Sequence, residues 1–134
     1  MLFRSPRENG AYPILVSAMD ADCNEVAGIR LPDVAAPLAT YTGWNVRGAA
    51  MGQPGLMTSG SPLFGATLPL PATESQRQAS SDPRPSIEER YATKQAYLDR
   101  VREAAQSLVA ERLLLDEDVP RCVDVASAKW DAFT

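Results

Sequence analysis

Histidine is missing from all 134 residues. That removes the commonest general base near neutral pH and excludes a Ser-His-Asp or Cys-His arrangement built within these residues. The nucleophile elbow Gly-X-Ser-X-Gly is missing too, so Ser59 and Ser61, beside Gly60, read as loop residues. Two cysteines, Cys23 and Cys122, stand 99 positions apart. Such a pair more often stays as free thiols than forms a bridge, and it does not make a zinc set, which needs about four clustered ligands. No run of about 18 apolar residues offers a membrane span, and the opening Met1-Leu-Phe-Arg-Ser-Pro-Arg is no signal peptide. Basic clusters are lacking as well, and the net charge of −4 argues against nucleic-acid and anionic-membrane partners. A phosphate-cradling loop is not found, because the stretch Gly48 to Gly65 has no Gly-Lys-Ser/Thr ending. No cofactor and no metal is expected from these residues.

Glycine and proline are present but unevenly placed. Ten of eleven prolines and all eight glycines precede Ser86. Gly and Pro cost about 1 and 3 kcal/mol in helix interiors, so the first part cannot be mostly helical and the last part can. An apolar fraction of 45% and this length suit one domain. Three regions follow: strands and a hairpin over 1–47, a loop over 48–85 that wraps a larger body, and a helical region over 86–134. In the first, Tyr12 to Met19 and Val26 to Leu31 read as strands around the polar turn Asp20-Ala-Asp-Cys-Asn-Glu25. That turn resembles a calcium loop only in its first half. Position six is Glu25 where Gly is required, and position twelve is Leu31 where a bidentate Glu belongs. One short helical turn fits between Asp33 and Leu38, and another at Glu74 to Ala79 with Thr73 as its cap.

The last third carries clear signals. Ser86-Ile-Glu-Glu89 is a capping box that opens a turn ending near Tyr91. Thr93 caps a long helix whose apolar stripe runs Tyr97, Val101, Ala104/Ala105, Leu108 and Leu115, with the stem of Arg112 lying along it. Asp116 is expected to cap a final helix with Pro120 in its first turn and Val119, Val123, Ala126 and Trp130 on its apolar face. Helix capping also accounts for the carboxylates at Glu88, Glu89 and 116–118. The aromatic stretch Thr40 to Asn45 has two readings: packing against a neighbouring core, or a substrate-pocket wall in which Tyr41, Trp44 and Asn45 offer flat apolar area with polar tips. Two helices cannot also cover the arm, so a further partner surface is expected.

Several strings carry a family likeness. Tyr12-Pro-Ile-Leu-Val16, Asp20-Ala-Asp22, Asn24-Glu-Val-Ala-Gly-Ile-Arg-Leu-Pro32, Pro37-Leu-Ala-Thr-Tyr-Thr-Gly-Trp-Asn45 and Asp82-Pro-Arg-Pro-Ser-Ile-Glu-Glu-Arg-Tyr91 resemble the C-terminal end of a bacterial family, the alpha/beta hydrolase domain. The likeness runs from about Tyr12 to Trp130. It implies an α+β fragment of an α/β-hydrolase-like fold: a Pro/Gly-rich arm with short strands, then two amphipathic helices. It implies hydrolysis of ester or related acyl bonds by the complete protein, with nucleophile and base upstream of this segment, so no catalytic residue carries over to any position here. It also implies a partner, the remainder of the hydrolase domain or another subunit. The alternative is a stand-alone, non-catalytic interaction module. One departure stands out, since Cys23 occupies the place of the glycine in an Asp-X-Asp-Gly-Asn turn.

Overall fold

The computed structural model describes residues 17–43, 45–46, 56–57 and 65–134. Of the expected strand Tyr12 to Met19, residues 12–16 lie outside them, and of residues 17–19 only Met19 is paired. Met19 and Glu25 form an isolated antiparallel bridge that closes the polar turn. The second strand expected there does not continue: Gly28 turns the backbone at φ +81°, and Val26, Ile29 and Leu31 are exposed. Helix α1, Pro32–Ala35, starts at a proline, whose missing N–H costs nothing in a first turn.

Strand β1, Ala39–Thr42, pairs antiparallel with β4, Ala66–Pro69, placing Tyr41 opposite Thr67. Between them β2, Asn45–Val46, pairs with β3, Leu56–Met57, so the two ladders are nested like a long hairpin. The stretch 48–85 therefore contains paired strands as well as a helix. Its local pattern does not announce them, because each strand is specified by a partner ten or more residues away. At Gly65 the backbone closes against β1, and a Cβ there would collide with the Thr42 carbonyl oxygen.

A two-stranded ribbon is marginal alone; in this one Ala39 and Thr40 of β1 are buried, while Thr67, Leu68 and Pro69 of β4 are exposed. Helix α2, Glu74–Ser80, is capped by the Thr73 hydroxyl, which accepts from the Gln76 amide at 3.2 Å. Helix α3, Ile87–Arg90, opens on the expected capping box, with both reciprocal bonds of Ser86 and Glu89 present. Helix α4, Lys94–Ala110, is capped by Thr93 and buries Tyr97, Val101, Ala105 and Leu108. It packs against α5, Val119–Phe133, whose Trp130 stacks on Tyr97 at 5.3 Å between ring centroids. Leu38, Ile87 and Val101 join Tyr97 in the core at 1% exposure, each burial contributing about 1.5–3 kcal/mol.

Three expectations for the helices need correction. Leu115 is not on the α4 stripe, because the helix ends at Ala110, and its side chain is 61% exposed. Arg112 does not lie along that stripe either. It sits past the helix end at φ +62°, where its amide reaches Val109 O and the Leu113 amide reaches Leu108 O. This is a Schellman stop, made without the usual glycine. Finally, Asp116–Asp118 form a 3₁₀ turn that runs into α5, so the residue before that helix is Asp118, and Pro120 is in its first turn as expected.

Candidate functional site

The polar turn and the ribbon are joined by side chains that act as backbone. One carboxylate oxygen of Asp20 accepts the amides of Asp22 and Asn24, at 2.9 and 3.0 Å, while the other takes Arg30 at 2.7 Å. Those bonds make the turn an Asx turn. Burial works against the Asp20 charge, but the Arg30 bond and the two amides outweigh it and hold the carboxyl below its ordinary range. Asn24 is fully buried. Its amide nitrogen donates to Ala39 O at 3.1 Å, and its oxygen accepts from the Tyr41 amide at 2.7 Å. The Asn24 side chain thus occupies the free edge of β1 as a neighbouring strand would.

Arg84 performs the corresponding task on β4. Pro83 and Pro85 flank it, and a residue before proline is driven to extended backbone. Its guanidinium makes five hydrogen bonds, matching its five donors: two to Asp82, and one each to Thr40 Oγ1 at 2.8 Å, Leu68 O at 3.0 Å and Pro69 O at 3.3 Å. The Thr40 hydroxyl, 2% exposed, in turn donates a hydrogen bond to Asp22 O. Both oxygens of the Asp22 carboxylate accept from Arg90, 68 positions away. Asp82 is held below the ordinary carboxylate range chiefly by Arg84, whose own pKa is raised chiefly by Asp82. Glu89 is lowered to about 2 by the Ser86 amide first, then by the Ser86 hydroxyl and Arg77. All three shifted carboxyls move down. A general acid needs the opposite shift, so their chemistry is that of fixed anions.

Of the expected pocket residues, Tyr41 borders a hollow of about 290 Å³ with Ala27, Ile29, Arg30, Val34 and Gly43. Its ring lies beneath Lys129 Nζ, 5.5 Å from the centroid, and that ammonium also binds Asp33 at 2.6 Å. Burial first, and Asp33 second, push the Tyr41 phenol up to about 12, so it stays protonated at neutral pH. Asn45 is exposed in β2 opposite Met57 and is not among the residues that line this hollow. Trp44 lies outside the described residues. Sequence reasoning did not assemble Asn24, Thr40, Arg84 and Arg90 into one network. The available signal was an arginine set between two prolines and an Asx-rich turn, each already holding a local explanation. Cys23 and Cys122 are both free thiols. Among the described residues no helix is long and apolar enough to cross a membrane.

Residues 6–124 match the model of one protein family, described as Alpha/beta hydrolase domain. Comparison with curated proteins and with solved structures returns no match.

Proposed function

The chain belongs to the alpha/beta hydrolase domain family, and from that premise we propose that it is the supporting C-terminal portion of a hydrolase acting on ester or related acyl bonds. The observation that carries this reading is a family match across residues 6–124 in a sequence without histidine. The histidine such chemistry uses must then come from other polypeptide. The use of Asp20, Asp22, Asp82 and Glu89 supports it, since each carboxylate is engaged by arginine or backbone amide in holding elements together. In this reading Tyr41 walls the acyl pocket of the complete enzyme, together with Trp44 and Asn45.

A second reading, a stand-alone interaction module, draws on the exposed apolar side chains Ile29, Leu31, Leu113 and Leu115. Faces like these mark docking surfaces. Both readings require a partner, either the remainder of the hydrolase domain or another subunit. The coding sequence before Met1 separates them: an in-frame Gly-X-Ser-X-Gly and a histidine support the first. The activity test is hydrolysis of p-nitrophenyl acetate by the isolated 134-residue chain. The expected rate is that of buffer alone. Sustained turnover that a serine-directed inhibitor abolishes overturns the reading.

A further inference from the structure

An open groove of about 480 Å³ runs between residues 30–37 and helix α4. Its floor is made of short apolar side chains, residues 34–37 and Ala104, and its charged groups are Asp22, Arg30, Arg90, Arg100 and Glu103. Asp20, bound to Arg30 at 2.7 Å, together with Asp22 and Glu103 balances the three guanidinium groups in formal charge.

Hydrogen-bonding capacity is not balanced in the same way, because donors outnumber free acceptors. Both Asp22 oxygens are taken by Arg90. The Tyr91 hydroxyl donates to Pro37 O at 3.2 Å, and Arg30 donates to Val34 O at 3.0 Å, so those two carbonyls are engaged too. The bonds of Arg30 to Asp20 and Val34 both leave from Nη2. Its Nε and Nη1 donors have no partner among the described residues. Arg100 is less committed still. Its nearest carboxylate is Glu103 at 3.8 Å, beyond hydrogen-bond reach, and its side chain is 71% exposed. Arg30 is 36% exposed at the side chain, and Arg90 18%. A donor-rich cleft with an apolar floor suits an acceptor-rich planar or tetrahedral group, since guanidinium forks match such groups two oxygens at a time.

We propose that this groove binds an oxyanion, a carboxylate or a phosphate group, through Arg100 and Arg30, with Arg90 fixed by Asp22 as the rear cation. The proposal goes beyond the hydrolase reading and does not depend on where the catalytic residues lie. The apolar floor favours a ligand with a short hydrocarbon body behind the anionic head, and the cleft volume falls in the range of small-molecule sites. The protein's overall negative charge opposes an anion weakly, because charges farther than about 8–10 Å are screened at physiological salt. Affinity in the millimolar range follows from two exposed forks.

The test titrates the 134-residue chain with sodium hexanoate, and separately with inorganic phosphate, at an ionic strength held constant with chloride. Arginine Nε–H resonances report binding. Saturable shifts at Arg30 and Arg100 are expected, with about tenfold weaker binding in Arg100→Gln, the loss of one charge-assisted pair. Arg100→Lys, which keeps the charge and loses the fork, is expected between the two. Response to hexanoate alone identifies a carboxylate with an apolar tail, response to phosphate alone a phosphoryl group, and response to both a general oxyanion site. The proposal fails if neither probe gives saturable shifts, or if Arg100→Gln binds as tightly as the parent.

Discussion

Cys23 adopts φ +60°, a region that costs an L-residue about 1–2 kcal/mol through contact between Cβ and the following carbonyl. The turn holds it there. The Cys23 amide donates to Asp20 O at 3.0 Å, and the Asp20 carboxylate fastens the residues on either side. Glycine adopts this backbone angle without that contact, which is the physical reason a glycine suits this position. Ser81 and Arg112 carry the same conformation at the ends of α2 and α4, again without glycine. Cys23→Gly relieves the contact but gains chain entropy when unfolded, so the net expectation is stabilisation of about 1 kcal/mol. Urea unfolding reads it directly as a higher midpoint with an unchanged slope. A lower midpoint would mean that the thiol contributes packing that its exposed position does not suggest.

Helix starts are the most legible features of the sequence. Caps at Thr73, Ser86 and Thr93 were each readable from one hydroxyl and its spacing, because capping is local chemistry. Helix stops were less legible. The Schellman turn at Arg112 has no glycine to mark it, so the α4 stripe was expected to run on to Leu115. The Glu89 cap also fixes a pH dependence. Glu89 has an ordinary value of 4.5 and a folded value of about 2, so folding favours its ionised form. That contribution is complete above pH 4.5 and is lost as pH falls through about 2, where both states are protonated. In Glu89→Gln the side chain still reaches the Ser86 amide but no longer titrates. The stability loss between pH 4.5 and pH 2 should therefore be smaller in the variant than in the parent. Equal slopes for the two proteins over that window would show that the carboxylate is no more stabilised in the folded chain than in the unfolded one.

At the scale of the molecule, the strings of the family likeness that fall among the described residues meet in space. Asp20 to Asn24, Thr40 and Tyr41, and Asp82 to Arg90 come from three separate stretches and form one continuous polar network. The sequence displayed its members but not their meeting, since Asp22 and Arg90 are 68 positions apart and no local period relates them. The ladder of β1 with β4 was hidden for the same reason. The pocket proposal rests on Tyr41, whose hollow is described, while Trp44 lies outside the described residues. Arg84 is the joint on which the network's role can be decided. Arg84→Lys keeps the charge near Asp82 but replaces a rigid fork of five donors with one flexible ammonium of three. An ammonium that stays with Asp82 cannot also serve Thr40, Leu68 and Pro69. Leu68 and Pro69 are exposed, so water re-solvates their carbonyls cheaply, whereas Thr40 at 2% exposure has no such recourse. The expected cost is therefore about 2–3 kcal/mol, one strong charge-assisted bond and the desolvation of one buried hydroxyl, rather than five full bonds. It should appear as a lower urea midpoint together with faster amide exchange at Tyr41 and Leu70, which flank the joint. A variant that unfolds within about 0.5 kcal/mol of the parent, the spread of ordinary surface substitutions, would mean that the apolar packing of α4 on α5 holds the ribbon without this lock.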